Sequence, residues 1–273
     1  MTTAFEALTP LPAALAGLNL LRLEHAGPVL HVRLNRPAKR NSVNDELLAQ
    51  LHSLWVNMPA DVRAAVISGE GQHFCAGLDL SEISERTVFQ AVHHSRAWHA
   101  CFDAIQFGPV PVITVLHGAV VGGGLELASA AHLRVAEDSS FYGLPEGTRG
   151  IFVGGGGSVR ISRLIGVARM TDMMLTGRVF DADEGQTFGI SNYRVADGAG
   201  LAKALELAIK IASNAPLSNY AITQALPRIA DLSASDGLFV ESLMASIAQG
   251  DEAAKSRVRA FLEGRAAKVR KAE

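Results

Sequence analysis

From Phe107 to Leu125 the chain carries no Asp, Glu, Lys or Arg. So long an uncharged run is stable only when removed from water, either across a bilayer or inside a protein core. Pro109 and Pro111 interrupt it, as do Gly108, Gly118 and the triplet Gly122-Gly123-Gly124. A continuous lipid-spanning helix does not tolerate that density of breakers. A buried strand, a glycine turn and the start of a buried helix account for the run, and the rest of the fold must be built around that unit.

The same strand–loop–helix unit recurs along the first two-thirds of the chain. Residues 21–25 and 29–34 alternate around Gly27-Pro28, which predicts a hairpin. Asn44 is placed to cap a helix whose apolar face is Leu47, Leu48, Leu51, Leu54, Trp55 and Met58. Residues 64–68 and 112–116 read as short buried strands, with a long helix reaching about Ile105 between them. Residues 133–136 and 140–142 predict further strands. From Ser158 onward the pattern is mostly helical, with amphipathic stretches at 201–212, 217–229, 238–247 and 252–267. The expected fold class is therefore α/β, with ligands at the carboxyl ends of strands. The expected division is a core over 1–198 and a helical segment over 199–273, whose surplus apolar faces point to self-association.

With 48% hydrophobic residues and a formal net charge of −2, nothing favours nucleic acid or an anionic membrane as partner. Cys75 and Cys101 are the two cysteines, too few for a disulfide framework, which together with the absence of a basic leader points to the cytoplasm. His93, His94 and His99 lack the four-residue spacing of a helical zinc pair, so no metal is expected.

Two carboxylates sit in apolar or glycine-rich surroundings: Glu126 after Gly122-Gly123-Gly124-Leu125, and Glu146 after Phe141-Tyr142-Gly143-Leu144-Pro145. Burying such groups is costly unless they are paired, hydrogen-bonded or protonated. Meeting around one site, they could serve as general base and general acid. Glycines opening a helix present bare N–H groups to a phosphate or to a developing oxyanion. No P-loop, dinucleotide fingerprint or nucleophile elbow accompanies them. The run Gly154–Gly157 reads equally well as a ligand loop or as tight backbone packing.

Several spaced segments then converge: Leu34-Asn35-Arg36-Pro37 with Arg40-Asn41; Phe74-Cys75-Ala76-Gly77-Leu78-Asp79-Leu80; His117-Gly118 followed by the glycine triplet and Leu125-Glu126-Leu127-Ala128; and Leu144-Pro145-Glu146 followed by Gly150 and Gly154–Gly157. In these the chain resembles the crotonase (enoyl-CoA hydratase/isomerase) superfamily, and most of all its enoyl-CoA hydratases. The resemblance runs from about Leu20 to the C-terminus. It implies a crotonase fold of repeated ββα units with a helical C-terminal oligomerisation segment, assembled as homotrimers or homohexamers. It implies an acyl-CoA substrate and no separate cofactor. The N–H groups of Leu78 and Gly123 would form the oxyanion hole, and Glu126 and Glu146 the catalytic pair. Lys39, Arg40 and Ala76 would contact coenzyme A, and Trp98, Leu144 and Phe152 would border the acyl group. Hydratases keep both acids, whereas isomerases often keep only the second. An isomerase, a CoA-thioester or β-diketone hydrolase, and a non-catalytic CoA-binding protein are the alternatives. The chain departs from the family pattern at His117, Val153 and Ser81, and around residues 144–153 it resembles hydratases of methylthioacryloyl-CoA.

Overall fold

The computed structural model describes residues 6–7, 15, 17–82 and 85–265. Two compact units divide the chain, Met1–Lys210 and Ile211–Glu273.

In chain order the first unit holds β1 (Glu6–Ala7), β2 (Leu21–Ala26), β3 (Val29–Leu34), α1 (Asp45–Val56), β4 (Ala64–Gly69), α2 (Val88–Gln106), β5 (Val112–Leu116), β6 (Ala119–Val121), α3 (Gly123–Ala130), β7 (Leu133–Glu137) and β8 (Phe141–Gly143). It continues with α4 (Gly157–Ile165), α5 (Val167–Thr176), β9 (Val179–Phe180), α6 (Ala182–Phe188), β10 (Tyr193–Val195) and most of α7 (Gly200–Ala212). A seven-stranded sheet runs in the order β1-β2-β3-β4-β5-β7-β10, and a three-stranded one in the order β6-β8-β9. In the larger sheet the first two pairings are antiparallel and the rest parallel. The expected hairpin is β2–β3, with Leu21 opposite Leu34 and Ala26 opposite Val29.

Every residue of β5 is buried, as are all but the last of β4. Strands covered on both faces need mostly apolar side chains, which explains why these two are rich in Val, Ile and Ala and carry no charge. The predicted Asn44 cap is present, its side chain accepting from the Leu47 N–H at 2.9 Å. Helix α1 stops at Val56, so Met58 packs from the turn beyond it, partly buried against the core. The uncharged run from Phe107 resolves into β5, β6 and the start of α3, and no helix among the described residues is long and apolar enough to cross a membrane.

The second unit contains α8 (Pro216–Ile229), α9 (Ala234–Gly250) and α10 (Glu252–Leu262). Pro216 stands at the first turn of α8, where a missing N–H costs nothing. Ser233 caps α9 by accepting from the Asp236 N–H at 3.2 Å. The outer faces of α8 and α9 leave Leu226, Leu238, Phe239 and Ile247 exposed.

Candidate active site

Beyond β4, the segment from Cys75 to Asp79 is clamped from two sides. Cys75 exchanges backbone hydrogen bonds with β6, its N–H donating to Ala119 O and its carbonyl accepting from the Val121 N–H. On the other side the Ala76 N–H donates to Arg40 O, the Val43 N–H to Gly77 O, and the Asp79 N–H to Val43 O. Asp79 anchors the end of the segment. It accepts from the Ser81 hydroxyl at 2.6 Å and from Arg36 at 2.9 Å, and these contacts hold its carboxyl below the usual range.

That pattern leaves the Leu78 N–H with no acceptor among the described residues. The Gly123 N–H is in the same position, because the first residue of α3 has no carbonyl one turn back to donate to. The two donors face each other closely. A Cβ on Gly77, whose φ of +96° already favours glycine, would fall 3.3 Å from Gly123 N and 2.7 Å from Val121 O. A Cβ on Gly123 would fall 3.4 Å from Leu78 N. Two N–H groups, one of them at the start of α3, thus lie close together with no acceptor among the described residues.

Both donors border a cavity of about 700 Å³ whose wall also includes Ala76, Trp98, Glu126, Glu146 and Gly155. Glu126, on the first turn of α3, is 3% exposed. Its Oε1 accepts from the N–H groups of Gly155 and Gly157, each at 2.8 Å. A Cβ on Gly157 would fall 2.8 Å from the Glu126 Cγ, so only glycine lets the backbone come this close. The loop is held from behind: Arg160 donates to Gly155 O at 3.1 Å and the Ser95 hydroxyl to Gly154 O at 2.7 Å. Burial pushes the Glu126 carboxyl up, against the N–H bonds from Gly157 and Gly155.

Glu146 follows β8 and is 7% exposed. Its Oε2 is buried with no hydrogen-bond partner, and its Oε1 lies 2.9 Å from the place a Cβ on Gly122 would take. Burial first, and then the Glu126 carboxylate, push it up to about 7, while Arg149 opposes the shift. Two such groups titrate as a pair. Burial raises both carboxyls, so the pair holds a proton more readily than two free carboxylates do. A testable consequence concerns stability. Because the folded-state pKa of Glu146 is raised, its stabilising contribution is complete below about 4.5 and is lost as pH rises through about 7. Glu146→Gln, neutral throughout, is therefore expected to be the more stable protein at pH 8. We expect a gain of about 1–2 kcal/mol, or a Tm higher by about 2–6 °C, that vanishes below about pH 4. Scanning calorimetry at the two pH values checks it; an equal difference at both would mean that Glu146 is not ionised against a burial cost.

The other expected site residues divide into three places. Ala76 lines the cavity, while Lys39 and Arg40 lie outside its wall, exposed beside the Ala76 segment, with Lys39 Nζ donating to the Ser81 hydroxyl at 3.3 Å. Trp98 is 4% exposed and lies against both glycine loops: its ring is 2.7 Å from a Cβ built on Gly123 and 3.1 Å from one on Gly155. Phe152 lines the cavity at its rim, 69% exposed, whereas Leu144 is wholly buried in the hydrophobic core and does not reach the wall. Among the described residues no group of three or more His, Cys, Asp or Glu is arranged to hold a metal. The amide donors of Gly155 and Gly157 are functional groups that the sequence leaves undistinguished. A glycine run lying 29–31 residues beyond a buried glutamate is the signal that bears on them.

A glycine-walled thioester-sized pocket with two acids and two convergent amide donors defines a crotonase-fold enzyme. The sequence profile of the enoyl-CoA hydratase/isomerase family matches residues 24–271. Enoyl-CoA hydratase EchA19 of Mycobacterium tuberculosis is 30% identical over 89% of this chain and 94% of its own. The short-chain-enoyl-CoA hydratase of Clostridium acetobutylicum is 31% identical over 91% and 96%. A crystallised protein of Rhodopseudomonas palustris with a provisional enoyl-CoA hydratase designation is 57% identical, with a TM-score of 0.88 over 91% of this chain and 96% of its own. The chain belongs to the enoyl-CoA hydratase/isomerase family.

Proposed function

We propose that this enzyme adds water across the α,β-double bond of a short-chain enoyl-CoA thioester. The observation that carries the reading is the pairing of Glu126 and Glu146 on the same cavity wall as the free N–H groups of Leu78 and Gly123. An isomerase needs only one proton carrier, whereas hydration needs a base for water and an acid for the α-carbon. Glu126, its Oε1 fixed by two amides, acts as the anionic base and takes a proton from water as the water oxygen bonds to the β-carbon. The π electrons move to the thioester oxygen, where the Leu78 and Gly123 N–H groups hold the developing enolate. Glu146 delivers its proton to the α-carbon as the enolate collapses. The proton gained by Glu126 restores the pair's single shared proton, so atoms and charge balance over the turnover.

Chain length is set by Trp98, whose buried ring closes the wall beside both glycine loops, while Phe152 edges the rim. The cavity of about 700 Å³ must take the pantetheine arm as well as the acyl group. We expect kcat/KM to peak for acyl groups of about three to six heavy atoms and to fall beyond them by overpacking, worth about 1–3 kcal/mol. Absorbance loss across crotonyl-, hexenoyl-, decenoyl-, cinnamoyl- and methylthioacryloyl-CoA tests both reaction and range. Comparable rates on crotonyl-CoA and a twelve-carbon enoyl-CoA would remove the chain-length reading and leave hydration standing.

Assembly into trimers or paired trimers is part of the same proposal. It is supported by the exposed Leu238, Phe239, Leu243 and Ile247 along one helix, an apolar surface that a lone chain leaves wet. Light scattering at micromolar concentration that gives a monomer mass would reject it. The two cysteines, both buried and unpaired, with burial raising each thiol to about 12, support a reducing compartment such as the cytoplasm.

A further inference from the structure

The cavity wall beyond the two glutamates carries two permanent cations. Arg96 and Arg149 both line it, both are exposed, and neither has an acidic partner among the described residues. Among the described residues the Arg96 side chain has one hydrogen-bonding partner, His99 Nδ1 at 3.3 Å, and the Arg149 side chain has none. Elsewhere in the protein guanidinium groups commonly sit on carboxylates: Arg33 on Glu24 and Glu70, Arg36 on Asp79, Arg160 on Asp103, Arg194 on Asp138 and Asp183. Arg96 and Arg149 make no such pair, and the wall around them mixes the apolar Ile151, Phe152, Val153 and Trp98 with the polar His94, Ser95 and His99.

Their position is as informative as their charge. Arg149 follows Glu146 in the short turn Gly147–Arg149, and its charge acts on the Glu146 carboxyl. Arg96 stands on α2 next to Ser95, whose hydroxyl binds Gly154 O of the loop that holds Glu126. Arg149 is thus tied to the acid side of the cavity, and Arg96 stands one residue from the side chain that holds the Glu126 loop. Lys39 and Arg40, the cations beside the Ala76 segment, lie outside this wall. A neutral hydrocarbon tail gives neither arginine anything to bind, but a planar carboxylate matches a guanidinium in shape and charge.

We propose that Arg96 and Arg149 select acyl-CoA esters whose acyl chain ends in a carboxylate, the monothioesters of short dicarboxylic acids. The proposal rests on the reading of this cavity as the acyl-CoA site, and it names the substrate class that site prefers. The competing source of anionic charge is the phosphate end of coenzyme A itself, which every CoA ester carries.

Binding of two non-reacting five-carbon esters separates these sources and does not depend on turnover. Isothermal titration of the intact protein with glutaryl-CoA and with pentanoyl-CoA compares chains that differ in their terminal group. We expect glutaryl-CoA to bind at least tenfold more tightly, with the advantage shrinking as salt rises. In Arg96→Gln/Arg149→Gln, whose folding is checked by circular dichroism, the ratio is expected to drop below threefold while pentanoyl-CoA affinity stays within threefold of the parent. Equal affinities in the parent protein would overturn the proposal. So would an equal loss of both ligands in the variant, which would assign the arginines to the coenzyme A phosphates. Failure of the parent to hydrate crotonyl-CoA would count against the hydratase reading alone, because the binding ratio is measured without chemistry.

Discussion

Glu126→Gln and Glu146→Gln are each expected to lower kcat by about a hundredfold or more, with acyl-CoA affinity changing little. Glutamine keeps the shape of each side chain but cannot exchange a proton at the reacting carbons. A hundredfold loss corresponds to about 2.7 kcal/mol of transition-state stabilisation, within the range of general acid–base catalysis. The amides of Leu78 and Gly123 and the rest of the cavity wall are untouched, so the effect is expected in kcat rather than in binding. Steady-state hydration assays and titration with a saturated acyl-CoA give the two quantities. Near-normal hydration by either variant would take that residue out of the chemistry. Retained double-bond migration in Glu126→Gln, with hydration lost, would move the enzyme to the isomerase reading.

Gly123→Pro is expected to abolish measurable turnover, whereas Gly123→Ala loses much less. Proline removes the N–H proposed to hold the enolate oxygen, and one such donor is worth about 3 kcal/mol. Position 123 is the first residue of α3, where proline is compatible with the helix itself. A Cβ there meets the Trp98 ring at 2.7 Å, so any substitution displaces that ring. Alanine introduces the same Cβ and keeps the amide, so the ratio of the two rates isolates the donor from the crowding. Retained near-ultraviolet dichroism and binding of free coenzyme A establish that the variants are folded. Equal rates for proline and alanine would remove Gly123 from the oxyanion hole.

Much of this arrangement is written locally. The β2–β3 hairpin follows from alternation around Gly27-Pro28, α1 from the Asn44 cap, and β5 from a short run of uncharged, largely β-branched residues, each a property of neighbours in sequence. Strands β9 and β10 escape such reading. They are two and three residues long, too short for a period, and exist because Phe180 lies opposite Tyr142 and Tyr193 opposite Val135, partners far away in the chain. The site shows the same division. The two glutamates stand out because charge is expensive in apolar surroundings. The amides of Gly155 and Gly157 do not, because a backbone N–H has no letter of its own in the sequence and acquires a role only when a distant carboxylate arrives. Leu144 illustrates the converse: next but one to Glu146 in sequence, it turns into the core.

The clasp on Glu126 by main-chain amides has a consequence for how such an enzyme can diversify. A base oriented by side chains can be re-aimed by a point mutation, whereas one oriented by peptide groups moves only if the loop itself moves. The Leu78 and Gly123 donors are peptide groups too. The reaction geometry is therefore written in a medium that codon changes scarcely touch, while Arg96, Trp98, Arg149 and Phe152 are ordinary side chains, each one mutation from another property. Selection can explore new acyl groups on this wall without reopening the question of how the double bond is activated.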